Sequence, residues 1–324
     1  MKISSASRRL LLLACLPVLL CANVAFAEYP ERPVTIVTPY APGGLTDVLA
    51  RDLAAHMQAA LGKAFVVENK PGAGGVIGTS YVMRAPPDGY TILLTSTSNQ
   101  LMLPEAMKKK PYDGAADFTP IGLVLQYPFL LVGRPGGPAT VQELVEKGRK
   151  SELTWGSFGV GGGNHLVGSY FMQSQGLKGV HVPYKGTAAS TMALIAGDLD
   201  FVFDSYLATS GQIQAGKLVP IAVSTRKRMA VLPNVPTLQE SGLKSFDEAI
   251  WQGIVGPKGM PPDVVKVLNR EINKFLADPQ RRQRNESQGA TLLGGSSEDY
   301  RKALVNDAER WKRFIAEHDI KIED

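Results

Sequence analysis

The sequence contains very little cysteine. Its 324 residues include only Cys15 and Cys21, and both lie in an apolar segment close to the N-terminus. If that segment is removed, the remaining chain carries no thiol. A disulfide, a zinc–thiolate site and a cysteine nucleophile are then excluded for the mature protein.

Long apolar runs are also scarce. The one long run begins at Leu10, follows three basic residues and ends in small residues at Ala27. This pattern is typical of a secretory signal peptide, so we expect residues 1–27 to be removed by cleavage after Ala27. A lipoprotein cleavage at Cys15 is the competing interpretation, although it leaves only about five apolar residues before the cut. No later run approaches the roughly 18 apolar residues of a membrane helix, and we expect a soluble, exported protein.

Neither sign of charge is in large excess. The formal net charge of +5 falls by three to +2, because Lys2, Arg8 and Arg9 leave with the signal peptide. The basic runs at residues 108–110 and 281–284 contain no aromatic side chains. We therefore expect solvated surfaces there and no nucleic-acid partner.

Histidine is rare and scattered. No two histidines have the short spacing of metal ligands, so we expect no metal site. The four residues are His56, His165, His181 and His318.

Short β-rich runs alternate with amphipathic segments along the remaining chain, which indicates parallel βαβ units and an α/β fold. One series occupies residues 34–98 and a second occupies residues 129–225. Two runs with little turn character, residues 121–132 and 249–255, join these series to each other and to a C-terminal region. Two such connections predict two lobes with a cleft between them, and a single large doubly wound sheet is the alternative.

Three helices are predicted with defined ends. One begins at Thr46 and ends before Gly62, because glycine suits the left-handed residue that follows a helix. The other two occupy residues 262–277 and 298–318. The apolar face of the first helix is expected to comprise Val48, Leu49, Leu53, Met57, Ala60 and Leu61.

The first glycine loop, residues 42–47, joins a predicted strand to this helix. Unpaired amides at a helix start carry the positive end of the dipole and favour an anion, and glycines let a ligand approach the main chain. The alternative is a tight turn in which Thr46 or Asp47 is only the N-cap. The sequence alone does not decide between them.

A second glycine loop, residues 161–165, repeats this design in the other series. Two glycine-lined helix starts, one in each lobe, would bind two anionic groups or both ends of one ligand, and a diacid or an amino acid suits that geometry. His165 is expected to cap this loop through a hydrogen bond. Thr187 is a predicted N-cap, while Asp204 and Asp47 either meet a ligand hydroxyl or ammonium or tie down their own loops.

Enzyme motifs match poorly. "WGSFG" around Ser157 resembles a nucleophile elbow but has Trp155 in place of the first glycine. An exported hydrolase or transferase that uses Ser157 or His165 therefore remains the weaker hypothesis.

At these loops the chain resembles a known family. "YPERPVTIVTPYAPGGLTDVLAR", "VVENKPGAGGVIGT", "GVGGGNHLVG", "HVPYKGTAASTMALIAGDLDFVFD" and "WQGIVGPKGMPPDVV" are similar, in this order, to the extracytoplasmic substrate-binding proteins of tripartite tricarboxylate transporters, the Bug family. The resemblance covers nearly the whole mature chain.

The resemblance implies a periplasmic-binding-protein fold of the second type, in which two α/β lobes are joined by two crossing strands. Residues 28–126 and 248–324 would form the first lobe, and residues 127–247 the second. It also implies a monomeric periplasmic receptor without catalytic activity or cofactor. Such a receptor presents a small carboxylate, including di- and tricarboxylates, acidic amino acids and aromatic acids, to the large and small subunits of a membrane permease. A sensor that docks on a signalling partner would share this fold and pocket.

The family pattern also implies the ligand-binding residues. The first glycine loop would hold one carboxylate through main-chain amides, and the second loop and residues 184–187 would face it from the other lobe. The expected residues are Pro42, Gly43, Gly44, Leu45, Thr46, Asp47, Ser98, Gly161, Gly162, Gly163, His165, Tyr184, Gly186, Thr187 and Asp204.

Two positions depart from the family pattern. Leu45 stands where a small or polar residue is common, and an aspartate frequent near Ala193 is missing. Leu45 suggests a more apolar pocket for an aromatic or aliphatic acid, unless its side chain points into the core.

Overall fold

The computed structural model describes residues 29–184, 186–244 and 246–317, together with residues 320 and 322. The predicted signal peptide, its cleavage site and His318 lie outside the described residues. Within them, no helix combines the length and the apolar character needed to span a membrane.

The described strands fall into two separate sheets, one of six strands and one of five. A single large sheet, the alternative left open by the sequence, is therefore ruled out. Numbered along the chain, the strands are β1 (Val34–Thr38), β2 (Phe65–Asn69), β3 (Thr91–Ser96), β4 (Phe118–Pro128), β5 (Leu130–Gly133), β6 (Leu153–Ser157), β7 (Gly179–Pro183), β8 (Phe201–Asp204), β9 (Val219–Val223), β10 (Ala249–Pro257) and β11 (Thr291–Leu292).

The first sheet has the order β11-β4-β10-β3-β1-β2 and the second has the order β7-β6-β8-β5-β9. In the first, β1 pairs in parallel with β2 and β3, while β10 is antiparallel to β3 and β4. In the second, β6 is parallel to β7 and β8, while β5 is antiparallel to β8 and β9. Each sheet thus combines parallel βαβ units with antiparallel strands, and we call the part of the chain around each sheet a lobe.

Helices cover both sheets. Within the first lobe, the C-terminal helices pack against β4, which returns the end of the chain to the sheet where it began. In chain order the helices are α1 (Leu45–Leu61), α2 (Val76–Met83), α3 (Leu103–Ala106), α4 (Val141–Lys150), α5 (Gly163–Ser174), α6 (Thr187–Ala196), α7 (Tyr206–Gln214), α8 (Pro262–Ala277), α9 (Pro279–Glu286) and α10 (Ser297–Glu317), with a 3₁₀ turn at Ala73–Gly75 and a π turn at Ser98–Met102.

The chain crosses between the lobes twice, once after β4 and once before β10. Ser224 connects the two crossings: its Oγ accepts from the amide of Phe129 at 2.8 Å and donates to the carbonyl of Glu248. The amide of Glu248 in turn donates to the carbonyl of Ser224 at 2.9 Å. One hydroxyl therefore holds both connecting segments in register.

Helix α1 ends as the sequence predicts, with Gly62 at φ 70° and its amide bonded to the carbonyl of Gln58. Its buried face differs from the expectation. Val48 is 59% exposed and Ala60 is also exposed, whereas Ala50 and Ala54 are buried. The buried face is therefore shifted toward Ala50 and Ala54, which join Leu49, Leu53 and Met57 in one buried cluster.

Candidate functional site

Both glycine loops lie where a parallel strand ends and a helix begins. The first follows β1 and leads into α1, and the second follows β6 and leads into α5. Ligands of α/β folds bind outside the carboxyl ends of such strands. The topology therefore places both loops at positions typical of a binding cleft.

The first glycine loop is anchored by Asp47. This buried carboxylate accepts from the amide of Gly43 at 3.0 Å, from the guanidinium of Arg51 at two atoms, each at 3.0 Å, and from Asn69 Nδ2 at 2.9 Å. Burial alone would raise its pKa, but the hydrogen bonds from Arg51, Gly43 and Asn69 hold the pKa below its ordinary value of 3.8. Of the two roles open for Asp47, the geometry supports the one that ties down its own loop.

The remaining groups of this loop are open to a ligand. Pro42, Gly43 and Gly44 are exposed, and Gly43 adopts φ 87°, a conformation that favours glycine. Gly44, rather than Thr46 or Asp47, is the N-cap. The first helical bond runs from the Val48 amide to the Gly44 carbonyl, so the amides of residues 45–47 precede it.

Thr46 reaches the crossing strand β10. Its Oγ1 accepts a hydrogen bond from Gln252 Nε2 at 3.0 Å, across 206 positions of sequence. Both residues are buried. Because the hydroxyl acts there as acceptor, its hydrogen remains able to donate to a ligand.

The second glycine loop is capped as predicted by His165. The amide of Gly161 donates to Nδ1 of His165 at 3.1 Å, and the Leu166 amide donates to the Gly162 carbonyl. Burial lowers the pKa of His165 to about 4, so the imidazole is neutral near pH 7 and can accept this bond. The helical amides of residues 163–165 precede the first helical bond.

This second loop is packed against the opposite lobe. A side-chain carbon on Gly161 would collide with Leu103, and one on Gly163 would collide with Ser98 Oγ and lie 3.1 Å from Phe129 Cζ. A cluster of buried apolar side chains is continuous from the first lobe to the second. The two lobes are therefore in contact, and Ser98, an expected site residue, lies at that contact.

Ser157 has a partner that the sequence did not reveal. Its Oγ lies 2.7 Å from Nε2 of His181 and donates to the carbonyl of Gly159 at 3.0 Å. Ser157 is fully buried, and burial together with nearby His165 lowers the pKa of His181 to about 3. A base with so low a pKa is poorly matched to general-base catalysis near neutrality. The pair instead holds the backbone of the second loop, because the Gly159 amide also donates to Ser157 Oγ at 3.1 Å.

Around residues 184–187 the structure corrects one prediction. Gly186, with φ 101°, is the N-cap of α6, and Thr187 is its first helical residue rather than the cap. Only glycine adopts that φ readily, so the cap position is fixed by backbone geometry. The Tyr184 ring packs beside Gly156, and its amide donates to the Ser157 carbonyl at 2.9 Å.

Asp204 ends β8 and is 3% exposed. One of its oxygens accepts from the Ser205 amide at 2.7 Å, and the Thr187 hydroxyl lies close enough to favour the ionised form. Burial outweighs both and raises the pKa of Asp204 to about 7. Its second oxygen, Oδ2, has no hydrogen-bond partner in the described part of the chain.

A small pocket with an internal volume of about 10 Å³, partly open to solvent, is lined by residues of both lobes. Leu45 lines it and does not point wholly into the core. The other lining residues are Tyr127, Ser205, Leu207, Asn285, Gln288 and Ala290.

Sequence reasoning missed several polar residues of this region. Asn69 and Gln252 belong to this region because they bond to residues far away in the chain. Tyr127 lies on strand β4, whose sequence pattern gives no sign of ligand binding. Asn164, directly after the glycines, is buried with neither side-chain polar atom bonded to a described residue. Its position at a helix start was the one local signal that could have identified it.

Comparison with known proteins adds independent findings. The family model described as "Tripartite tricarboxylate transporter family receptor" matches residues 49–320. Protein BugT of Bordetella pertussis is 32% identical over 307 residues, which covers 94% of each chain.

Solved structures are similar over most of the chain. Periplasmic binding protein BugD is 37% identical with a TM-score of 0.83, over 91% of this chain and 100% of its own. Rpa4515 of R. palustris, solved with adipate, is 31% identical with a TM-score of 0.84, over 91% and 99%. MatC of Rhodopseudomonas palustris, solved with malate, is 28% identical with a TM-score of 0.81, over 88% and 99%.

Proposed function

Because the chain belongs to the family of tripartite tricarboxylate transporter receptors, we propose that it is a periplasmic solute-binding protein for a small carboxylate. It captures the ligand between its two lobes and delivers it to the membrane permease of such a transporter. The observation that carries this proposal is the pair of glycine-lined helix starts, one at the carboxyl end of β1 and one at the carboxyl end of β6. Each provides amides that precede the first helical bond and suit a carboxylate.

We propose that the expected site residues contact the ligand from both lobes. From the first lobe, Gly44, Leu45 and Thr46 offer main-chain amides. Thr46 also offers its hydroxyl, and Pro42 and Leu45 offer apolar surface. From the second lobe, the amides of α5 and α6 face them. Asp47 and His165 hold the two loops in shape rather than contacting the ligand.

The lobe boundaries remain as proposed from the sequence, with residues 28–126 and 248–324 in the first lobe and 127–247 in the second. The position of the two sheets supports this division, because the chain changes sheet between Pro128 and Leu130 and returns before Ala249. The hydrogen bonds of Ser224 with Phe129 and Glu248 connect the two crossings, and we propose this junction as the hinge between the lobes. Closure about a hinge is a common way to enclose a ligand.

We expect no turnover. Ser157 is buried, and His181 beside it has a pKa too low for a base at neutral pH. Relatives solved with malate and adipate support a carboxylate as the ligand.

A thermal-shift screen of the purified protein without its signal peptide tests the ligand class. The panel contains mono-, di- and tricarboxylates, with sugars and cationic amines as controls. A ligand at 100 times its Kd adds about 2.7 kcal/mol of stability, which raises the melting temperature by several degrees. Stabilisation by sugars or amines, with none by any carboxylate, would overturn the proposal.

A transport assay tests the partner. Uptake of a radiolabelled carboxylate that passes the screen is measured in cells with and without the gene for this chain. We expect uptake to need the gene, and equal uptake in both strains would contradict a role in transport.

A further inference from the structure

Gly289, in the first lobe, lies directly against the second lobe. It follows α9 and adopts φ 76°, a conformation that favours glycine. A side-chain carbon built on it would collide with Met229 Cε and would lie 3.5 Å from both Tyr206 Cβ and Val231 Cγ2. The main chain of one lobe therefore approaches side chains of the other at a point where any side chain would be in the way.

The surface that receives Gly289 is apolar. Met229 is buried in the apolar cluster of the second lobe, and Tyr206 and Val231 pack against that cluster. This contact shares no residue with the contact between the lobes at the second glycine loop. The two lobes thus touch at a second, separate place.

The turn that contains Gly289 has a fixed shape. The carbonyl of Asn285 accepts from the amides of Gln288 and Ala290, each at 3.0 Å, and the amide of Gly289 donates to the carbonyl of Glu286 at 3.0 Å. These bonds lie within the main chain of the turn itself. They hold the backbone of the turn in one conformation.

Both ends of this turn are joined to the first lobe. Before the turn, Arg281 and Arg284 of α9 form ion pairs with Asp52 of α1. After the turn, β11 pairs with β4 at Gln126 and Leu125. The turn therefore moves together with the first lobe, and its contact with the second lobe depends on how the two lobes are placed.

The contact also lies close to the proposed hinge. Thr291, two residues after Gly289, pairs with Gln126, and the crossing to β5 follows Pro128. Thickness added near a hinge holds two lobes apart by a larger distance farther from the hinge. The bare main chain at Gly289 therefore permits a closure that a side chain would limit.

We propose that Gly289 is a positioning residue that sets how far the lobes close, by giving Met229 and Tyr206 room to approach. Its neighbours Gln288 and Ala290 line the small pocket shared by the lobes, whereas Gly289 does not. It acts on carboxylate affinity through the population of the closed form, since apparent affinity falls with the fraction of protein in the competent state. This inference rests on the proposed carboxylate-binding function.

Gly289→Val tests the inference, with Gly62→Val as its matched control. The two glycines share a similar φ, 76° and 70°, but a carbon on Gly62 would meet nothing within 4 Å outside its chain neighbours. Malate, adipate, citrate, glutamate and benzoate are the probes, titrated by calorimetry. Each probe that binds the unaltered protein should bind Gly289→Val about tenfold more weakly and should bind the control normally. Equal affinities in the two variants would overturn the inference.

Adding Met229→Ala to Gly289→Val separates closure from general destabilisation. Removal of the methionine side chain makes room for the valine, so affinity should recover by about threefold or more. The double variant should still melt at a lower temperature, because it loses a buried apolar side chain. An affinity that stays low or falls further in the double variant would contradict the inference.

The pair Gly289→Cys and Tyr206→Cys tests the contact without any ligand. Their Cβ atoms would lie 3.5 Å apart, which suits a disulfide, and the chain after residue 27 has no other cysteine. Tyr206→Cys with Gly259→Cys is the control pair, because a carbon on Gly259 would meet nothing within 4 Å. Only the first pair should form a disulfide under oxidation. Its absence there would overturn the inference.

Small-angle scattering without ligand then compares the lobe arrangements. The oxidised pair at residues 206 and 289 should have a smaller radius of gyration than Gly289→Val, because one variant joins the lobes and the other holds them apart. Equal radii would show that Gly289 does not set the closure.

Failure of the inference and failure of the proposed function can be told apart. If probes bind and Gly289→Val binds them as the control does, only the inference is wrong. If no probe and no other carboxylate of the thermal-shift panel binds, the proposed function is wrong, while disulfide formation and the radii still decide the role of Gly289.

Discussion

The two glycine loops share a sequence pattern but are built differently. The first is exposed at residues 42–44 and is held by hydrogen bonds that Gly43, Arg51 and Asn69 donate to buried Asp47. The second is held by His165 and packs directly against the opposite lobe at Gly161 and Gly163. Glycine therefore serves a different purpose in each loop.

The difference teaches which property each loop contributes. In the first loop, glycine supplies a backbone conformation and an uncovered main chain. In the second, glycine supplies space for the other lobe. A larger side chain in place of glycine should therefore disturb the second loop most. Loss of a hydrogen-bonding side chain that anchors the backbone should disturb the first loop most.

The largest effect is expected from Gly163→Val. Its side chain would meet Ser98 and Phe129, so the lobes could not close and the affinity for carboxylate should fall about 100-fold or more, equivalent to about 2.7 kcal/mol. Gly211→Val in α7 is the matched control, because a carbon there would have no other atom within 4 Å and Gly211 is not an expected site residue. Calorimetric titration of both variants checks this. Equal affinities would show that the second loop is not packed as described.

A smaller effect is expected from Asp47→Ala. The substitution removes one carboxylate acceptor from the Gly43 amide, Arg51 and Asn69, which should lower the free energy of unfolding by about 1–3 kcal/mol. Ligand affinity should fall about tenfold, because the first loop loses its shape. Urea unfolding and titration measure the two effects. Normal affinity in the variant would mean that the loop does not need its anchor.

The two loops should also differ in pH dependence. His165 has a pKa of about 4 in the folded protein against 6.5 ordinarily, so below pH 6.5 the unfolded chain binds the extra proton and stability falls until about pH 4. His181 acts in the same direction. Asp47 has a lowered pKa, so its contribution is present above pH 3.8 and is lost as the pH falls below that value.

Melting temperatures between pH 3 and pH 7.5 separate these windows. Relative to the unaltered protein, His165→Gln should flatten the curve between pH 4 and 6.5. Asp47→Asn should change it mainly below pH 4. Parallel curves for all three proteins would contradict the assigned protonation states.

The smallest effect is expected from Leu45→Ser in the first loop. Leu45 lines the cavity beside Tyr127, so the substitution removes apolar contact with the ligand chain. Loss of about 1 kcal/mol, or roughly fivefold in Kd, is expected for an aromatic or long aliphatic acid, with less change for a short polar one. Identical changes in Kd for both ligand types would mean that Leu45 makes no apolar contact with the carbon chain of the ligand.

Much of the fold could be predicted because its signals are local. Helix α8 has the predicted bounds, Pro262–Ala277, and Gly62 ends α1 as expected. Both glycine loops stand between a strand and a helix, and the chain changes sheet within one of the two runs predicted to join the lobes and just before the other. In each case neighbouring residues carry the necessary information.

The site was less predictable because its details depend on distant contacts. Thr46 meets Gln252 and Ser157 meets His181 only after the sheets have formed. Thr187 was assigned as a cap from its residue type, whereas the φ of Gly186 decides the cap. The sequence predicts a buried Val48 and the structure exposes it, because periodicity does not report how a helix is rotated against its sheet.

The central claim is that the cleft binds a carboxylate through its charge. Calorimetric titration of the purified protein with a dicarboxylate, and with the neutral diamide of the same carbon skeleton, tests it most directly. For the dicarboxylate that gives the largest thermal shift, we predict one site per chain, with the diamide at least 100-fold weaker. Equal binding of acid and diamide would contradict the claim.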